Sequence, residues 1–187
     1  MPTPYRTLDT PTTRTSDRLD APVPVPSPGQ DWGLLILRVV LGLTIAAHGT
    51  QKLFGWFDGD GLAAAGQSFE AMGYPSGEAM ALLAGLSEAL GGLGLVLGLL
   101  TPLAGAAVVG TMINAIAVTH EGGFFSPGGY EFALLIGAGA ATLALTGPGS
   151  YALDRSLPVL RAHRPSYGVA ALGLGGALAL LVLLIRG

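Results

Sequence analysis

Five apolar runs, at residues 33–54, 79–100, 103–119, 132–146 and 169–185, dominate the chain and carry very little charge. A helix rises about 1.5 Å per residue and the hydrocarbon core of a bilayer is about 30 Å thick, so most of these runs are long enough to cross it. Lipid supplies no hydrogen bonds to backbone N–H and C=O groups, and helices that satisfy their own backbone suit it best. The predicted fold class is therefore all-α: a polytopic membrane four-helix bundle plus a fifth C-terminal transmembrane helix. Composition agrees, because 50% of the 187 residues are hydrophobic and only 11% are charged, against about a quarter in soluble domains.

Three regions follow. Residues 1–31 hold Pro2, Pro4, Pro11, Pro22, Pro24, Pro26 and Pro28 among Thr, Ser, Asp and Arg. They lack the apolar content that offsets the entropy of ordering, so a disordered cytoplasmic tail is predicted. They also lack the apolar stretch of a secretory signal, so the first helix is expected to direct insertion. Residues 32–155 form the expected four-helix core, and residues 156–187 a linker and the fifth helix. Trp56 and Phe57 mark an interface after the first helix, and residues 58–77 read as a polar, glycine-containing loop. Thr101-Pro102 separates the second and third helices, and Gly147-Pro148-Gly149 ends the fourth. Gly94 and Gly98 form a G-x-x-x-G, read as helix packing.

Arginine and lysine resist translocation. Arg6, Arg14, Arg18, Arg155, Arg161 and Arg164 share one side of the predicted topology, with Arg186 on the other. The expected orientation is N-terminus inside and C-terminus outside.

Two classes of function are excluded. A net charge of -3 leaves no basic surface to neutralise phosphates, so nucleic acid is not a partner. With no cysteine, the chain cannot cycle a disulfide, hold an iron–sulfur cluster or attach a haem covalently. No metal site is expected either, since His48 and His120 come from different helices without metal-ligand spacing.

Ionisable groups at membrane depth are expensive, and each one is a functional hypothesis with a partner to be found. Arg38, His48 and Lys52 fall within a sector of roughly 80° on the first helix. Glu88 lies within about 2 Å of the predicted midplane, His48 about 6 Å and Lys52 about 12 Å outward, and Arg38 about 9 Å inward. Glu88 is therefore expected to face the first helix. Arg38 and Glu88 are the candidates for a buried ion pair, and His48, Lys52, Glu88, Asn114, His120 and Glu131 for an outer-half ligand cluster. Plainer readings stand beside these: Lys52 snorkels to the interface, His120 caps a helix, and the ion pair is architectural.

The residues also resemble the DoxX family of small membrane proteins. The resemblance rests on Arg38 with Leu41-Gly42, on His48-Gly49 followed by Lys52-Leu53-Phe54-Gly55-Trp56-Phe57, on Glu88 with Gly91-Gly92, and on Leu99-Leu100-Thr101-Pro102. Gly123-Phe124-Phe125, Gly128-Gly129-Tyr130-Glu131-Phe132, Thr146-Gly147-Pro148-Gly149, Tyr151 and Leu153-Asp154 complete it over about residues 33–154. It implies a four-helix core in the bacterial cytoplasmic membrane, and some related proteins resemble subunits of a thiosulfate:quinone oxidoreductase or partners of redox enzymes. The fifth hydrophobic segment departs from that outline.

The leading expectation is thus a membrane subunit associated with a redox system, its outer-half pocket binding a quinone or a small anion. The alternatives are a non-enzymatic membrane scaffold and, third, a small-solute transporter, which lacks an inverted repeat in its support. Expected partners are the lipid bilayer and redox proteins, with a homo-oligomer left open.

Overall fold

The structure is a computed structural model that describes residues 27–125, 127–158, 160 and 163–187. Among these residues six α-helices follow one another: α1 (Pro28–Phe54), α2 (Gly61–Ala71), α3 (Gly77–Leu97), α4 (Thr101–Thr119), α5 (Glu131–Thr146) and α6 (Pro165–Leu184). No strand occurs among the described residues. The helices α1, α3, α4 and α6 are long and apolar enough to span a membrane. The fifth, α5, has 16 residues, about 24 Å at the standard rise.

The first helix begins earlier than its apolar content suggests. Ser27 and Gln30 form a capping box, in which Gln30 N donates to Ser27 Oγ at 3.4 Å and Ser27 N donates to Gln30 Oε1 at 2.9 Å. Pro28 occupies the first turn, where its missing N–H is no loss. Residues 28–31 are thus helical rather than part of a disordered tail; residues 1–26 lie outside the described residues. Gly55, with φ 71°, adopts the left-handed conformation that ends α1.

The stretch expected to be a loop after α1 contains α2. This short helix lies against the start of α3, so closely that a Cβ on Gly66 would sit 2.9 Å from Glu78 Cα. The rings of Phe69 and Tyr74, 5.4 Å apart, close the turn between them.

Small residues set the separations of the spanning helices. The antiparallel helices α1 and α3 meet where a Cβ on Gly42 would lie 2.6 Å from Gly92 O, and one on Gly49 would lie 2.6 Å from Gly85 O. Lipid gives no hydrophobic drive to associate, and close backbone approach is what lets such helices gain packing energy. Gly94 and Gly98 do not work as the pair their spacing suggests. Gly94 approaches Ala104 of α4, whereas Gly98, with φ 63°, ends α3 while Leu99 N donates to Gly94 O at 2.8 Å.

Helix α4 is the hub, packing along α3, α5 and α6. The core is built from Leu41 and Ile45 of α1, Leu95 of α3, Val108 and Met112 of α4, and Ile136 and Leu143 of α5. Outward faces carry Val40, Leu90, Leu135 and Leu184. These suit acyl chains.

Candidate functional site

The close approach at Gly49 brings the last turn of α1 beside α3. There Lys52 Nζ donates to Glu88 Oε2 at 2.6 Å and to His48 O at 3.5 Å. The Glu88 side chain is 4% exposed and that of Lys52 27%. A lone carboxylate in an apolar bundle is costly, and Lys52 supplies the partner that offsets it. The expected ion pair between Arg38 and Glu88 does not form, because the Arg38 guanidinium lies beside Gly98, roughly 15 Å along α3 from the carboxylate that Lys52 engages.

Arg38 lies instead at the opposite end of the bundle, 3% exposed. It donates to Tyr151 O, and its Nε and Nη1 have no hydrogen-bond partner among the described residues. Asp154 supplies the nearby negative charge. The Asp154 carboxylate accepts from Leu100 N at 2.7 Å, Thr101 N at 3.0 Å and Thr101 Oγ at 2.9 Å. It thereby caps the N-terminus of α4, the positive end of the helix dipole, and holds Leu100 at φ 49°. At the same end, Asp31 accepts from Ser150 N at 2.7 Å.

The Lys52–Glu88 pair stands on the wall of a chamber of about 570 Å³, within the roughly 300–1,000 Å³ range of small-molecule sites. The chamber lies between α3, α4 and α6, and the α2–α3 turn closes one end. Nearly all of its surface is apolar, including Met72, Met80, Leu83, Ala107, Leu178 and Val182. Asn114 is its second polar station. Tyr74 Oη donates to Asn114 Oδ1 at 3.0 Å, while Asn114 Nδ2 donates to Gly110 O at 3.1 Å and Ala179 O at 3.3 Å.

Of the six residues expected to form one ligand cluster, the chamber gathers Lys52, Glu88 and Asn114. His48 is turned toward α5, its ring edge-on to Phe132 at 5.2 Å. His120 is exposed at the end of α4, with Nδ1 2.9 Å from Ala117 O. Glu131 starts α5, where its N–H donates to Phe124 O at 3.1 Å. No group of three or more His, Asp or Glu able to hold a metal ion exists among the described residues.

Sequence reasoning passed over Tyr74, Ser87 and Arg186. Tyr74 was visible as an amphipathic aromatic in a Gly-Tyr-Pro turn beside a membrane helix. Nothing local to Ser87 distinguished it from a packing serine. Burial of the phenol raises the Tyr74 pKa above its usual value, and Arg186 opposes that rise.

A bundle that is all-helical among the described residues, with several apolar spans and a carboxylate buried inside it against a partly exposed lysine, defines a multi-pass membrane protein. The DoxX family profile matches residues 33–121. The chain is also 31% identical over 130 residues to the inner membrane protein YqjF of Escherichia coli (strain K12), a match covering 68% of this chain and 94% of that protein. The chain belongs to the DoxX family and is a multi-pass bacterial inner membrane protein. No solved structure matches it.

Proposed function

We propose that the protein is a membrane subunit of a redox system whose chamber binds an isoprenoid quinone. One observation carries the reading: a long apolar chamber has a single charged station, Lys52 with Glu88, on its wall. A quinone has the matching shape, an apolar tail with acceptor oxygens at one end. Lys52 retains one N–H donor beyond those it gives to Glu88 and His48, and the Ser87 hydroxyl, which also lines the chamber, has no hydrogen-bond partner among the described residues. Both can donate to a headgroup carbonyl, and Glu88 Oε1, which Lys52 does not engage, can hold a proton near it. The quinone itself would supply electron storage.

A small anion fits less well. The Lys52 charge is already neutralised by Glu88, and the remaining lining offers no second cation. The link to a redox system comes from the resemblance of DoxX proteins to subunits of quinone-linked oxidoreductases. In the proposed orientation, N-terminus inside, the Lys52 end of the chamber lies in the outer half of the bilayer and the Arg38–Asp154 end in the inner half.

The test is quinone content and equilibrium quinone binding of the purified protein in nanodiscs. Ser87→Ala is expected to lose most of the bound quinone while keeping the thermal stability of the parent, and Lys52→Met combined with Glu88→Met to lose it while keeping most of that stability. Loss of stability in step with loss of binding would instead identify the pair as helix glue in a scaffold.

A further inference from the structure

The chamber's walls indicate how a ligand reaches it. Helix α6 packs along α4 and α5 but forms no extended seam with α3, which faces it across the chamber. Leu83 of α3 and Leu178 of α6 line the chamber and are also half exposed on the bundle surface, at 50% and 54%. The gap between them therefore opens sideways onto the acyl layer. Both edges are apolar, so a tail passes without losing its apolar surroundings, whereas a hydrated solute would shed its water there.

The chamber's end is fastened by a ring of polar contacts. Beyond α6, Arg186 Nε donates to Met72 O at 2.7 Å and Gly187 N to Gly73 O at 3.0 Å. The Arg186 guanidinium lies 5.7 Å from the centroid of the Tyr74 ring. Tyr74 bonds to Asn114, and Asn114 returns to α6 at Ala179 O. The ring joins α6, α4 and the α2–α3 turn, and Arg186 with Gly187 fastens the end of α6 to that turn.

We infer that the chamber draws a membrane-dissolved lipophile laterally through the portal between α3 and α6, and that Arg186 latches the end of α6 so that the portal stays narrow. The inference builds on the reading of the chamber as a ligand site and specifies its route. With the Arg186 contacts to Met72 and Tyr74 gone, only the Gly187–Gly73 backbone bond ties this end of α6 to the turn; α6 keeps its seams with α4 and α5 and can tilt at its far end, widening the gap beside Leu178 and Val182.

The absence of native cysteine permits a direct test that needs no quinone. Ala107→Cys places a thiol on the chamber wall, and its reaction is followed in nanodiscs with a lipid-soluble maleimide and with a charged, water-soluble one. The lipid-soluble reagent is expected to react at least tenfold faster. Arg186→Gln should raise that rate several-fold and Arg186→Lys should restore much of the original value, with helical content unchanged in both. Bridging Leu83→Cys to Leu178→Cys with a thiol cross-linker before Ala107→Cys is labelled should slow it at least tenfold. Equal reaction with both reagents, or a rate indifferent to the cross-link and to Arg186→Gln, would overturn the inference. Added quinone should protect the thiol; a portal that responds to the cross-link without such protection upholds the route and removes the quinone.

Discussion

Gly42 and Gly92 face each other across the α1–α3 seam with so little room that a methyl group on either would meet the other's carbonyl oxygen, at 2.6 Å and 2.5 Å respectively. Neither contact can relax by rotating a side chain, because both partners are backbone. Gly42→Ala or Gly92→Ala should cost about 1–3 kcal/mol by forcing the helices apart. Gly173→Ala, where a Cβ meets nothing within 4 Å, should be neutral or stabilise by up to ~1 kcal/mol through helix propensity. Thermal unfolding in one detergent compares the three.

The Lys52–Glu88 pair responds unequally to its two truncations. Lys52→Ala leaves Glu88 buried without its cation, so its cost should reach about 3–5 kcal/mol. Glu88→Ala leaves an ammonium that is partly exposed and can reach toward the interface, so its cost should stay near 1–3 kcal/mol, below that of a fully buried orphan charge. Lys52→Met combined with Glu88→Met should recover most of the stability. A double-mutant cycle by chemical denaturation measures the coupling, and additive losses would contradict it.

Asp154 holds the start of α4 through three hydrogen bonds and offsets Arg38. Asp154→Ala should lower stability by about 2–4 kcal/mol, since it removes a charged cap and leaves a buried guanidinium uncompensated. Hydrogen exchange should show the first turn of α4 opening while α3 stays protected. A uniform rise across the bundle would show that Asp154 acts elsewhere.

Alkaline pH should weaken the Tyr74 end of the bundle. Burial raises the phenol's pKa above the ordinary 10.0, with Arg186 pulling the other way, so the neutral form is favoured when folded. The corresponding stability is present below about pH 10 and is lost as pH climbs from there through the folded value. Wild-type protein should therefore lose more Tm between about pH 9 and pH 11 than Tyr74→Phe. Parallel loss in both proteins would rule Tyr74 out as the cause.

The spanning helices were legible in the sequence because lipid imposes a length and a polarity that apolar runs report directly. The start of α1 was equally readable from Ser27-Pro28 and Gln30, a capping signal outweighed by the prolines before it. Helix α2 was harder to see, since its 11 residues hold together by tertiary contact of Gly66 with α3. Counting depth from helix centres matched Glu88 to His48 better than to the other basic residues of α1, and the Gly49 contact with Gly85 and Ala89 supports that register. Depth does not report which way a side chain turns. His48 faces Phe132, and Lys52, one turn further out, reaches back along its flexible stem to the carboxylate. An outer-half pocket was expected from its polar residues, but its apolar wall on α6 was not legible, because the chamber depends on α6 standing away from α3.

The short α5 also shapes the lipid around it. Its 16 residues leave a flank about 6 Å thinner than a hydrocarbon core of about 30 Å. With α5 across the bilayer, the two leaflets would dimple beside Leu135, which faces outward. Such mismatch costs fractions of a kcal/mol per Å. It should enrich short-chain phospholipids along that side and draw together neighbours whose flanks are equally thin.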